Sequence, residues 1–169
     1  MSVGKYVRDT VDYFYGDDTA SGIEDLASNV EDFWFDDFYK RFPQFEDAPN
    51  RKTLMNVSET DLDALTHFYG NVLSQEQYGT PLTLLAGLFN EARGLYRGNR
   101  WKGTKVDLIN NFAALQDSNN KKSEYGNILS QLIQDETYEP SNEEMLAMIN
   151  YALEHTEDPP EREMYGQKK

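Results

Sequence analysis

A chain of 169 residues with no cysteine, 38% hydrophobic and 13% aromatic residues and a net charge of −14 has the size of one domain that can bury its own core. The missing thiols exclude disulfide scaffolds, thiol nucleophiles and thiolate metal sites. No apolar run reaches the roughly 20 residues of a membrane span, the N-terminus lacks the apolar stretch of a secretory signal, and 30 acids against 16 bases argue against a general nucleic-acid binder, because phosphates are repelled.

Val3, Tyr6, Val7, Val11 and Phe14 recur at helical spacing ahead of Gly16, which predicts a first helix near 3–15 ended by a glycine cap. Ser21 and Glu24 have the form of a capping box before the apolar series Ile23, Leu26, Ala27, Val30, Phe33, Trp34, Phe38 and Phe42, which Pro43 stops. No apolar period survives between Pro43 and Val57, so an irregular loop is expected at 43–57. Ser58 with Asp61 opens a third helix whose inward face is Leu62, Leu65, Phe68 or Tyr69, Val72 and Leu73. Gly79-Thr80-Pro81 ends that helix and starts a fourth, which buries Leu82, Leu85, Leu88, Phe89 and Ala92 and runs to about Tyr96. Thr104 with Asp107 reads as the cap of a fifth, shorter helix, followed by one opened by Ser123 and one opened by Ser141 with Glu144. The expectation is an all-α single domain over 1–155, of six or seven helices, with a flexible, polar and proline-rich tail over 156–169.

Chemistry leaves few traces. His67 and His155 are the two histidines, neither lies in a spacing such as His-x-x-x-His, and both read as structural or surface residues. Phosphate loops, dinucleotide fingerprints and nucleophile elbows are absent. Metal-dependent hydrolases can work with carboxylates alone, which draws attention to Asp17-Asp18, Asp36-Asp37, Glu143-Glu144 and the pair Asp61 and Asp63. Adjacent helical residues point about 100° apart, and the Asp17-Asp18 loop lacks the alternating oxygens of a calcium hand. No catalytic residue, cofactor or metal is expected, and the chain reads as a non-enzyme.

Two features suggest docking. Seven aromatics, Phe33, Trp34, Phe35, Phe38, Tyr39, Phe42 and Phe45, fall within 13 residues; one stripe of them is core, which leaves Phe35 and Tyr39, with Phe45, on a second face. Residues 93–105 hold five bases (Arg93, Arg97, Arg100, Lys102, Lys105) and no acid, between flanks of net −11 and −8.

The segment from Leu95 to Ile109, with Arg97, Arg100, Trp101, Lys102, Gly103 and Thr104 ahead of Val106 and Ile109, resembles a stretch of the baseplate wedge proteins of tailed phages, the tail protein I family. The resemblance spans about residues 58–116 and implies a structural subunit of a virion tail, baseplate or neck, made in the host cytoplasm and incorporated into a larger symmetric particle. Its partners would be other virion proteins, with no direct nucleic acid and no membrane. Docking would use Arg93, Arg97, Arg100, Trp101, Lys102, Gly103, Thr104 and Lys105, together with Phe35 and Tyr39. The family's β-rich module after the short helix has no counterpart here, where two more helices and the tail follow. An alternative follows from charge alone: an acidic mimic of DNA that occupies a host or defence DNA-binding protein.

Overall fold

The computed structural model describes residues 3–46, 57–96, 98, 101–117 and 119–157; at 3, 4, 93, 95, 96, 101 and 102 the description is of the backbone. In chain order the α-helices are α1 (Val3–Tyr15), α2 (Thr19–Asp32), α3 (Phe38–Arg41), α4 (Glu59–Tyr78), α5 (Thr80–Tyr96), α6 (Trp101–Gln116), α7 (Asn120–Gln134) and α8 (Asn142–His155). A π-helical turn, Phe33–Asp37, joins α2 to α3 without a break, so these three segments form one rod and the chain makes seven helical rods among the described residues. The all-α expectation holds: the described residues contain no strand, only an isolated bridge between Glu46 and Val57.

α4 lies at the centre because it is apolar on more than one side. Leu62, Ala64, Leu65, Phe68, Tyr69 and Val72 are all at most 1% exposed, and α2, α5, α6, α7 and α8 pack around them. The principal core joins these residues to Val30, Trp34 and Phe38 on the α2–α3 rod, Leu129 and Leu132 on α7, and Met145, Met148 and Ile149 on α8. Each large side chain so buried contributes about 1.5–3 kcal/mol. Tyr69 donates its hydroxyl to the Met148 carbonyl at 2.5 Å, which fixes α8 against α4. A smaller cluster, Val11, Ala20 and Leu82, ties α1, α2 and α5 together.

Capping explains several helix boundaries. Ser58 and Asp61, and Ser141 and Glu144, form reciprocal capping boxes at the starts of α4 and α8, each satisfying two otherwise orphaned N–H groups. Gly16 adopts a φ of 111° after α1, open to glycine without strain. Arg41, at the end of the rod, donates to the carbonyls of Leu132 and Tyr138 at 2.7 Å while its guanidinium sits over the Phe33 and Phe42 rings, so one cation closes the C-terminal end of α7.

Five expectations need correction. α2 begins at Thr19, entered from Asp18 in a left-handed conformation, and Ser21 lies inside it, donating to the Asp18 carbonyl. α6 begins at Trp101 rather than at a Thr104 cap and is as long as its neighbours. Asn119 rather than Ser123 caps α7, accepting from the Lys121 amide. Phe45 is fully buried, and of the predicted inward face of α5 Leu82 alone is buried, since Leu85, Leu88 and Phe89 stand 37%, 43% and 38% exposed and Ala92 is exposed too. Within the irregular loop expected at 43–57, Pro43–Phe45 form a 3-10 turn; positions 47–56 lie outside the described residues. At the start of the expected tail, the Asn110 side chain accepts from the Glu157 amide at 2.8 Å and donates to its carbonyl at 3.2 Å; positions 158–169 lie outside the described residues.

Candidate functional site

Helical spacing on α4 puts Asp63 and His67 one turn apart on one face, and α6 does the same for Asp107 and Asn111. The two faces meet. His67 Nε2 lies 3.5 Å from Asp107 Oδ1 and 3.9 Å from Asp63 Oδ1. On its other side, His67 Nδ1 lies 3.0 Å from Asn111 Oδ1. α5 adds Glu91, only 5% exposed, where the nearby Asn111 and Asn90 amides oppose the rise that burial imposes on its carboxyl. On the same helix, a Cβ at Gly87 would stand in ordinary van der Waals contact with the side-chain amides of Asn111 and Asn71, at 3.6 and 3.9 Å.

The hydrogen bonds fix the imidazole tautomer. Asn71 Nδ2 donates to the main-chain carbonyl of His67 at 2.7 Å, an acceptor only, which identifies that atom as nitrogen. The same Nδ2 donates to Asn111 Oδ1 at 2.6 Å, which makes that atom an oxygen. His67 Nδ1 must then carry a proton to donate to it, and in the neutral ring Nε2 holds a lone pair directed toward two carboxylates.

Charge accumulates where water is scarce. Burial pushes the Asp107 carboxyl up to about 7, with Asp63 and Glu91 adding to the rise and His67 opposing it. Burial likewise raises Glu91. At His67, burial favours the neutral ring, but the carboxylates of Asp107, Asp63 and Glu91 outweigh it and raise its pKa above the ordinary value. The groove beside the cluster, between Asn71, Thr83, Gly87, Leu88 and Asn111, has room for about one water molecule.

The residues expected to dock are distributed differently. Gly103 and Thr104 are buried inside the monomer, because the earlier start of α6 turns them inward; they are not docking residues. Lys105 is exposed. Phe35 is 42% exposed on the π turn, whereas Tyr39 is half-buried with its hydroxyl donating to the Val57 carbonyl. Arg93 falls on α5, and Trp101 and Lys102 on the first turn of α6; Arg97 and Arg100 lie outside the described residues. Of the carboxylate pairs, Asp61 and Glu144 are caps, Asp37 pairs with Lys40 at 3.5 Å, and Asp17 and Asp18 are exposed. Asp63 joins His67 instead of Asp61. The sequence did carry a signal for this, Asp-x-x-x-His in α4 and Asp-x-x-x-Asn in α6, but nothing in it pairs the two.

The fold and site thus define an all-α domain built around one central helix, with a polar cluster where α4, α5 and α6 meet. Comparison with protein-family models, curated proteins and solved structures finds no match for this chain.

Proposed function

We propose that this chain is a non-enzymatic structural subunit of a larger symmetric particle, docked to its neighbours through apolar surface. One observation carries this reading: Leu85, Leu88 and Phe89, at i, i+3 and i+4 on α5, form a stripe whose members are each more than a third exposed. Contiguous exposed apolar surface marks an interaction site. α1 agrees, with Tyr6, Tyr13, Phe14 and Tyr15 all more than half exposed. Within this reading the virion is the particle, on the resemblance of Arg97 to Thr104 to baseplate wedge proteins, and the exposed Lys105 and Phe35 join the interface.

The test is incorporation. Particles purified from the organism that makes this chain, analysed by mass spectrometry and imaging, are expected to contain it at fixed copy number. A Leu88→Glu, Phe89→Glu double variant should stay a folded monomer by circular dichroism and be lost from them. A native protein found only as a free monomer, or normal incorporation of the variant, would refute the proposal.

A second reading has its own observation. Glu24, Asp25, Glu31, Asp32, Asp36 and Asp37 are all exposed along the α2–α3 rod, and the first two pairs are seven residues apart, so they share a face. Such a row could imitate phosphates toward a DNA-binding protein. Binding of that kind would weaken steeply with salt and compete with duplex DNA; salt-independent binding would refute it.

A further inference from the structure

We propose that Asp63, His67 and Asp107, with Glu91 alongside, form a binding site for one divalent transition-metal ion, Zn2+ being the best-suited common member, that clamps α4 to α6. Each of the three residues offers one ligand atom, and these atoms lie within 4.8 Å of one another. In a tetrahedral site with metal–ligand bonds of about 2.0–2.1 Å, ligand atoms stand about 3.3–3.5 Å apart. The 3.5 Å between His67 Nε2 and Asp107 Oδ1 already matches, and Asp63 Oδ1 at 3.9 Å needs to move in by a few tenths of an ångström.

Two further observations, independent of that proximity, point to a cation. Asp107 Oδ1 is buried and makes no hydrogen bond among the described residues, standing 3.5 Å from His67 Nε2, a costly arrangement for a carboxylate oxygen unless a protonated His67 or a bound cation meets it. Thr104, 2% exposed and one turn earlier on the same helix, also buries its hydroxyl oxygen with no partner among the described residues. The other observation is the network behind His67. Asn71 and Asn111 hold the proton on Nδ1, which leaves Nε2 as the coordinating atom, the arrangement by which outer groups orient metal-binding histidines. One imidazole with carboxylates suits Zn2+ and Mn2+ better than Mg2+ or Ca2+, which prefer oxygen alone. The side chains of Asp63 and His67 are 25% and 19% exposed, so an ion can enter from solvent.

The experiment is calorimetric titration of the full, chelator-stripped chain with Zn2+. One equivalent should bind with release of protons, since the ligands bind deprotonated. His67→Gln and Asp107→Asn should each weaken binding by about 100-fold or more, and Asn111→Ala, which frees the imidazole, by about 10–100-fold. Asp9→Asn, at an exposed carboxylate on α1, should change nothing. Long-range proton–nitrogen spectra of the unmutated protein decide the matter even if a variant fails to fold: Zn2+ should shift Nε2 of His67 with Nδ1 still protonated, and leave His155 unmoved. Absence of a stoichiometric ion, binding that survives His67→Gln, or an unshifted His67 Nε2 would overturn the proposal.

Discussion

Replacing Gly126 by alanine tests the packing of α7 on α4 through a change of sign. Gly126 is buried, and a Cβ built on it would stand 2.9 Å from Val72 Cγ1 and 3.6 Å from Leu73 Cδ2 and Glu76 Oε2. Carbon atoms prefer about 3.5–4.0 Å, so the new methyl overlaps Val72 by more than half an ångström. Val72 is fully buried, and its β-branch leaves it one good rotamer in a helix. Overpacking of this kind costs about 1–3 kcal/mol, whereas alanine in place of a helical glycine contributes about 1 kcal/mol. The net expectation for Gly126→Ala is a loss of about 1 kcal/mol. Val72→Ala alone should cost about 2–3 kcal/mol, for two lost carbons and the cavity they leave. In that background the clashing atom is gone, and Gly126→Ala should stabilise by about 1 kcal/mol. The coupling of about 2 kcal/mol is within reach of a double-mutant cycle. The assay is urea unfolding of the four proteins, followed by the fluorescence of the buried Trp34 and by far-ultraviolet circular dichroism, with the m-value as a check that the transition is unchanged. Additivity of the two substitutions within about 0.5 kcal/mol would refute the reasoning.

Three more expectations follow from the same structure. With chelator present, the polar cluster should make the protein less stable as pH rises through neutrality: Asp107 is raised from 3.8 to about 7, so its native state holds a proton the unfolded state releases, and stability falls between about pH 4 and 7. The raised His67 acts in the same direction, its contribution being lost above its unfolded value; Asp107→Asn should flatten the urea midpoint measured from about pH 5 to about pH 8. Ser58→Ala and Ser141→Ala should each cost about 1 kcal/mol in urea unfolding, whereas Ser21→Ala, inside α2 and exposed, should cost almost nothing. Arg41→Lys should lose about 2 kcal/mol in the same assay, because one ammonium cannot reach the carbonyls of both Leu132 and Tyr138 in the fork geometry of a guanidinium.

Signals that act within four residues were the ones legible in the sequence. The Ser58 and Ser141 boxes, the Gly16 and Gly79 stops and the inward face of α4 could all be read, because each depends on neighbours along a single helix. The start of α2 could not, since Ala20 packs with Val11 and Leu82 and draws the chain into helix before the Ser21 signal. Nor could the π turn at Phe33–Asp37. The crowd of aromatics there suggested two faces, and the turn's wider winding brings Phe33, Trp34 and Phe38 into one core. The open face of α5 reverses the expectation from hydrophobic spacing, which marks a stripe that wants cover without saying whether this chain or another supplies it. His67 read as structural for a similar reason: its partners are one turn away on α4 and 44 positions away on α6, and only the second half of that arrangement gives it chemical interest.

The grip of Arg41 on Tyr138, 97 positions further along the chain, has a temporal side. At about 5–20 residues per second a ribosome needs about 5–20 s to make the intervening segment. Within that interval α4 and then α7 are made, and α8 follows it, so the aromatic segment from Phe33 to Phe45 waits in turn for each of the helices that share its core. The nascent chain therefore presents this aromatic stretch before the helices that cover it, and the contact that closes the end of the rod forms only once Tyr138 has been made.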